Sequence, residues 1–140
     1  VDIELEAADG AEAFPGVPEM LRALAAGGWR VAIVTRNCRP AVERVLALVP
    51  LHYDVLLTRD DVRRAKPDPE HLLAALRAID LPAAEAAMCG DHPMDVLAGQ
   101  RVGALTIGVL GPHSPADYFA AAKPDLVLAR VTDLLCHLVR

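Results

Sequence analysis

Aromatic rings are scarce in this 140-residue chain, with one Trp, two Tyr and two Phe. A core must therefore be packed with aliphatic side chains, chiefly Ala, Leu and Val. Cysteine is scarce too. Cys38, Cys89 and Cys136 are an odd number with neither CxxC nor Cys/His finger spacing, which speaks against a zinc finger or a disulfide framework. Three reduced thiols in a cytoplasmic protein are expected instead, with Cys89 in a buried strand. Basic runs are missing beyond Arg63-Arg64 and the formal charge is −5, so no nucleic-acid partner is expected. No apolar run approaches the roughly 20 residues of a bilayer-spanning helix, and no signal-peptide pattern opens the chain. A membrane partner is not expected either. The first residue is Val1 rather than Met, as in a processed or cut polypeptide.

What is present is an ordinary globular composition, 54% apolar against 24% charged, at a length suited to one domain with a real core. Apolar runs alternate with helical patterns. Strands are predicted over 29–35, 54–58, 86–90, 104–110 and 126–128, each a short apolar run bounded by turn residues. Helices are predicted from VPEMLRALAAGG, where Pro18 suits a first turn and Gly27-Gly28 a stop, and from RPAVERVLALV. PEHLLAALRAID follows, with Leu72, Leu73, Leu76 and Ile79 on one face, and then PMDVLAGQRVG, SPADYFAAA and VTDLLCHLVR. This rhythm predicts a Rossmann-like, doubly wound, mostly parallel sheet in a three-layer α/β/α arrangement. Such sheets place ligands at the carboxyl ends of their strands.

Three places put polar residues at those ends. Thr35 closes VAIVT, Lys66 lies in RRAKPDPE just before a helix, and Asp91 and Asp95 follow a strand in MCGDHPMD. A hydroxyl, an ammonium and two carboxylates on one rim suit a magnesium-bound phosphate, because Mg²⁺ prefers one or two carboxylates plus phosphate oxygens. Each piece also has a plainer reading. Thr35 is a turn residue, Lys66 a solvated loop charge, and Asp91 the N-cap of a helix whose dipole favours Asp95. His92 has the plain reading of a rim residue hydrogen-bonded to the backbone.

The runs FPGVPEMLRALAAGGWRVAIVTRN, AKPDPEHLLAAL and MCGDHPMDVLAGQRVGALTIGVL together resemble the haloacid dehalogenase-like hydrolase superfamily, in its phosphoglycolate-phosphatase-like branch. The resemblance implies that Thr35 hydrogen-bonds the transferring phosphoryl group, with Arg36 and Asn37 adding backbone N–H donors. It implies that Lys66 steadies the nucleophile and the phosphoryl charge. Asp91 would ligate Mg²⁺, and Asp95 would ligate through water or orient Lys66. The implied activity is Mg²⁺-dependent hydrolysis of a small phosphorylated metabolite. A phosphomutase of the same fold and a non-catalytic phosphate- or metal-binding module are the alternatives.

The family's nucleophile motif, hhhhDxDGT, does not occur. Its nearest match, Val1-Asp2-Ile3-Glu4-Leu5-Glu6, has D-x-acid spacing but neither the preceding apolar strand nor the Gly-Thr. The opening alternates Val1, Ile3 and Leu5 with acidic residues, which suits the end of an amphipathic helix or a short edge strand but not a central strand. Residues 1–13 resemble the remnant of a cap helix and linker leading into a core over 14–140. The implied sheet order 5-4-1-2-3 then lacks its central strand. Three ways of filling that gap are expected: pairing with a missing N-terminal segment, direct closure of the flanking strands, or self-association of two copies.

Overall fold

A computed structural model describes residues 2–5, 16–111 and 113–138, with the backbone alone for 2–5 and 138. Six strands form one sheet: β1 (Asp2–Leu5), β2 (Arg30–Val34), β3 (Val55–Leu57), β4 (Ala86–Gly90), β5 (Leu105–Val109) and β6 (Leu126–Leu128). Their spatial order is β3-β2-β1-β4-β5-β6, and every pairing is parallel. Helices α1 (Val17–Ala26), α2 (Arg39–Leu48), α3 (Pro69–Ile79), α4 (Pro93–Val102) and α5 (Leu134–Leu138) complete the α/β chain.

The inner strands are buried because they read as unbroken apolar runs. Val31 to Val34 are each at most 1% exposed, and all of β4 is buried. Their side chains alternate between two cores, as strand geometry requires. Val31, Ala87, Cys89 and Ile107 pack with Val17, Met20, Leu21 and Leu24 of α1 and Leu134 of α5. Ala32, Val34 and Met88 pack with Leu72, Ala75 and Ile79 of α3 and Ala98 of α4. This is the expected three-layer arrangement. Gly99 lets α4 lie close on the sheet, since a Cβ there would meet Thr106 Cγ2 at 2.7 Å and Met88 Cβ at 2.8 Å.

Three expectations are corrected. The opening is no cap-helix remnant at 2–5: these residues are the central strand, pairing with β2 on one side and β4 on the other. The flanking strands β2 and β4 do not close directly on each other; in this chain residues 2–5 lie between them. Buried strand edges need backbone partners, and an extended DIEL segment supplies them whatever its side-chain pattern. The remainder of the expected linker, and its boundary at residue 14, lie outside the described residues, as do Val1, Val139 and Arg140. Second, SPADYFAAA is not a helix. It is a run of tight turns, with Tyr118 N–H bonded to Pro115 C=O at 3.1 Å and Ala120 N–H to Asp117 C=O at 3.0 Å. A short segment between Pro115 and Pro124 gains too few α-helical bonds to offset nucleation. Third, Leu73 is 41% exposed, and His71 takes a place in the buried stripe of α3 beside Leu72, Ala75 and Ile79. At about 100° per residue, positions 71, 72, 75 and 79 share one side and 73 falls off it.

Among the described residues no helix is long and apolar enough to cross a membrane. The three cysteines are free thiols, Cys89 buried and Cys136 exposed. Burial, with the charges of Asp95 and Asp91, pushes the Cys89 thiol up to about 12. Thiolate is the reactive form, so Cys136 is expected to react with Ellman's reagent in the native state. Cys89 should react only after denaturation; fast native labelling of Cys89, read by mass spectrometry, would contradict its placement.

Candidate active site at the carboxyl end of the sheet

Thr35 follows β2 and is fully buried. Its N–H donates to Leu57 C=O at 3.0 Å, and its Oγ1 accepts the Asn37 N–H at 3.1 Å. The Asn37 carbonyl in turn accepts the Arg59 N–H at 3.1 Å. The 35–37 loop is therefore tied to the end of β3. The expected donor role of the Asn37 N–H meets a competing use, since that N–H is engaged by Thr35. The Arg36 N–H makes no hydrogen bond among the described residues. Arg36 is exposed, and its guanidinium reaches Met94 Sδ at 3.4 Å across the rim.

Lys66 is the feature that organises the site. It is no solvated loop charge: its side chain is 0% exposed. Nζ donates to Val34 C=O at 2.9 Å and to Asp95 Oδ1 at 2.8 Å. Val34 belongs to β2 and Asp95 lies just beyond β4, and β1 runs between them. Those two strands are separated by two inter-strand spacings, about 10 Å, so the ammonium stands over the carboxyl end of the central strand. The turn that delivers it is anchored on both sides. Lys66 N–H donates to His71 Nδ1 at 3.3 Å, and Arg101 from α4 donates to Pro67 C=O at 2.8 Å. The Lys66–Pro67 peptide is cis, and Asp68 caps α3 by accepting the Glu70 N–H.

Asp95 is 1% exposed, and its second oxygen accepts the His92 N–H at 3.1 Å. It fits there because Gly90 has no side chain: a Cβ at Gly90 would overlap the Asp95 carboxylate. His92, not Asp91, is the N-cap of α4. Its Nδ1 accepts the Met94 N–H at 3.1 Å, and the reciprocal bond from His92 N–H to Asp95 completes a capping box. The capping alternative for Asp91 therefore falls, and His92 has its plain, backbone-bonded reading. Asp91 is exposed at the rim. Partial burial of its carboxyl group, followed by the charge of Asp95, raises its pKa above the ordinary carboxylate range.

The structure thus brings Thr35, Lys66, Asp91 and Asp95 to one end of the sheet, with Arg36 and Asn37 on the adjoining loop. It does not bring Asp2 there. Asp2 pairs with Arg30 and Ala86 at the amino end, five residues below the level of Thr35, or about 16 Å at the usual strand rise. One residue was missed in the sequence: His71, which holds the Lys66 main chain. Its signal was available, because 71, 75 and 79 lie at helical spacing on the buried side of α3. Among the described residues no group of three His, Cys, Asp or Glu side chains is gathered to hold a metal.

Known proteins share this fold. Residues 2–109 match the family model described as haloacid dehalogenase-like hydrolase. Pyrophosphatase PpaX of Bacillus cereus (strain B4264) is 40% identical over 126 residues, covering 89% of this chain and 58% of its own length. The chain therefore spans somewhat over half the length of such curated relatives. A hydrolase from Pseudomonas syringae superposes with a TM-score of 0.81 at 31% identity, over 89% of this chain and 61% of that one. A predicted phosphoglycolate phosphatase from Haemophilus somnus 129PT has the same fold, with a TM-score of 0.79 at 23% identity over 89% of this chain and 56% of its own. With the family model matched over most of its length, the chain belongs to the haloacid dehalogenase-like hydrolase family.

Proposed function

We propose that this chain carries the phosphate- and magnesium-binding side of a cytoplasmic, phosphoglycolate-phosphatase-like hydrolase acting on a small phosphorylated metabolite. The observation that carries the reading is the Lys66 ammonium, fixed by Val34 and Asp95 over the end of the central strand beside Asp91. The Thr35 hydroxyl accepts from Asn37 and so keeps its own proton for a phosphoryl oxygen. Lys66 offsets phosphoryl charge in a water-poor setting, where a fixed cation acts strongly. The Arg36 N–H is the backbone donor left for the phosphate. The name of PpaX extends the substrate class to pyrophosphate.

The donor set fits Mg²⁺. Asp91 takes no part in capping, and a raised carboxyl pKa beside a second carboxylate marks a place where a hard divalent cation relieves repulsion. Asp91 would ligate the ion, with Asp95 behind it already committed to Lys66 and His92. Bound there, the ion would neutralise phosphoryl charge. An aspartyl-phosphate route also needs a carboxylate at the end of the central strand. No DxDGT occurs in the sequence and Asp2 is at the wrong end, so the nucleophile would come from a segment that is not in this sequence and that would take the central place held here by Asp2–Leu5.

Two measurements test this. Mg²⁺ should raise the melting temperature of the chain by mass action, and Asp91→Asn should abolish that shift while raising the metal-free melting temperature, because it removes a partly buried charge and, with it, repulsion with Asp95. An Mg²⁺ shift that survives Asp91→Asn would refute the metal assignment. The second is p-nitrophenyl phosphate hydrolysis with Mg²⁺, robust for a full-length gene product bearing DxDGT and at most a trace for this chain. The placement of Asp2 favours one other reading, a non-catalytic phosphate-binding module, which predicts binding without turnover in the full-length product as well.

A further inference from the structure

His71 is a buried imidazole that the proposed reaction leaves without a role. It is 0% exposed, at the third position of α3. Its Nδ1 accepts the Lys66 N–H, so the ring proton belongs on Nε2. Nε2 makes no hydrogen bond among the described residues, and the buried side of α3 that carries the ring packs against Val55 and Leu57 of β3. Leu57 is the residue whose carbonyl holds the Thr35 N–H at 3.0 Å. The ring thus stands between the backbone that fixes Thr35 and the backbone that delivers Lys66. A leucine in this stripe would bury no underbonded nitrogen, so an imidazole is a costly way merely to fill space.

We propose that His71 is a positioning residue, whose neutral, Nε2-protonated ring braces the Lys66 main chain against the end of β3 and so sets where the Lys66 ammonium meets Val34 and Asp95. This rests on the reading of Lys66 as the phosphoryl-binding cation. The charged groups that act on the ring are Lys66 and Asp61. Burial and then the Lys66 charge lower its pKa to about 4, against opposing effects of the Thr58 and Leu57 backbone and of Asp61. A doubly protonated ring would lose its acceptor for Lys66 and face a like charge.

Nuclear magnetic resonance on the whole 140-residue chain tests this. In the wild type, long-range ¹H–¹⁵N correlations should show the Nε2-protonated tautomer throughout about pH 5 to 8; protonation on Nδ1 overturns the proposal. His71→Leu should speed amide exchange at Lys66 roughly tenfold and weaken the protected Lys66 ammonium signal. His71→Asn, whose Oδ1 can stand in for Nδ1, should restore both although it fills less volume. A mere space-filler gives the opposite order, with Leu retaining both signals and Asn losing them, and that order overturns the proposal, as does equal loss in the two variants. If His71→Leu does not fold, the tautomer and His71→Asn decide alone. Failure of the phosphatase reading would appear separately, as absent inorganic phosphate binding by a wild type whose tautomer and Lys66 signals are as described.

Discussion

Replacing Lys66 with Met is expected to destabilise the fold by about 3–5 kcal/mol, the usual cost of stranding one partner of a buried ion pair. Met keeps most of the stem volume and removes the ammonium. Asp95, with a side chain 2% exposed, then retains, among the described residues, only the 3.1 Å bond from His92 N–H. The Val34 carbonyl loses its 2.9 Å donor as well. The companion variant is Lys66→Met with Asp95→Leu, which removes both charges. Replacing a buried pair by apolar groups is often close to neutral, so the double variant should recover much of the loss. Urea unfolding of the four proteins gives the coupling energy. A single-variant loss under about 1 kcal/mol, with no recovery in the double, would mean that the pair behaves as a surface bridge. The same variants should separate stability from function, because the double variant is expected to fold and still fail to bind phosphate.

The fold was legible wherever burial on both faces wrote an unbroken apolar run, as in Val31–Val34 and Ala86–Gly90. Helices with a Pro start and a Gly or Asp stop were equally plain, as in α1, α3 and α4. The placement of Thr35, Lys66, Asp91 and Asp95 at one end of the sheet was legible because each lies at a strand's carboxyl end or in the connection that follows it. What was not legible depended on tertiary accounting. Backbone pairing, which side-chain pattern does not encode, draws Asp2–Leu5 into the slot between β2 and β4. The turns at 115–122, where a helix was predicted, bring in Phe119, which is 2% exposed and packs over Gly108, where a Cβ would meet its ring at 2.8 Å. His92 took the cap that the plainer reading gave to Asp91 because its Nδ1 reaches the Met94 N–H, a geometry that residue type does not announce.

Gly90→Ala should disable the same pair without touching either charge. Gly90 is the last residue of β4, and the added methyl would occupy the space of the Asp95 carboxylate and of its Cβ. The carboxylate end can swing away, but the Cβ is fixed by α4, so the helix start must shift too. Overpacking of this kind costs about 1–3 kcal/mol. The larger consequence is local: displacement of Asp95 breaks its bond from Lys66 Nζ and the reciprocal half of the His92 capping box together. The expected result is a moderately destabilised chain with a strongly weakened Mg²⁺-dependent melting shift, since Asp91 begins the turn that is pushed. An Asp95→Gly background removes both the carboxylate and the Cβ. Adding Gly90→Ala there should cost far less than it does in the wild type, because the methyl then has room. If the penalty is the same in both backgrounds, Asp95 is not what the glycine accommodates. In that case the close approach of strand and helix at residue 90, rather than the ion pair, is what the missing side chain protects.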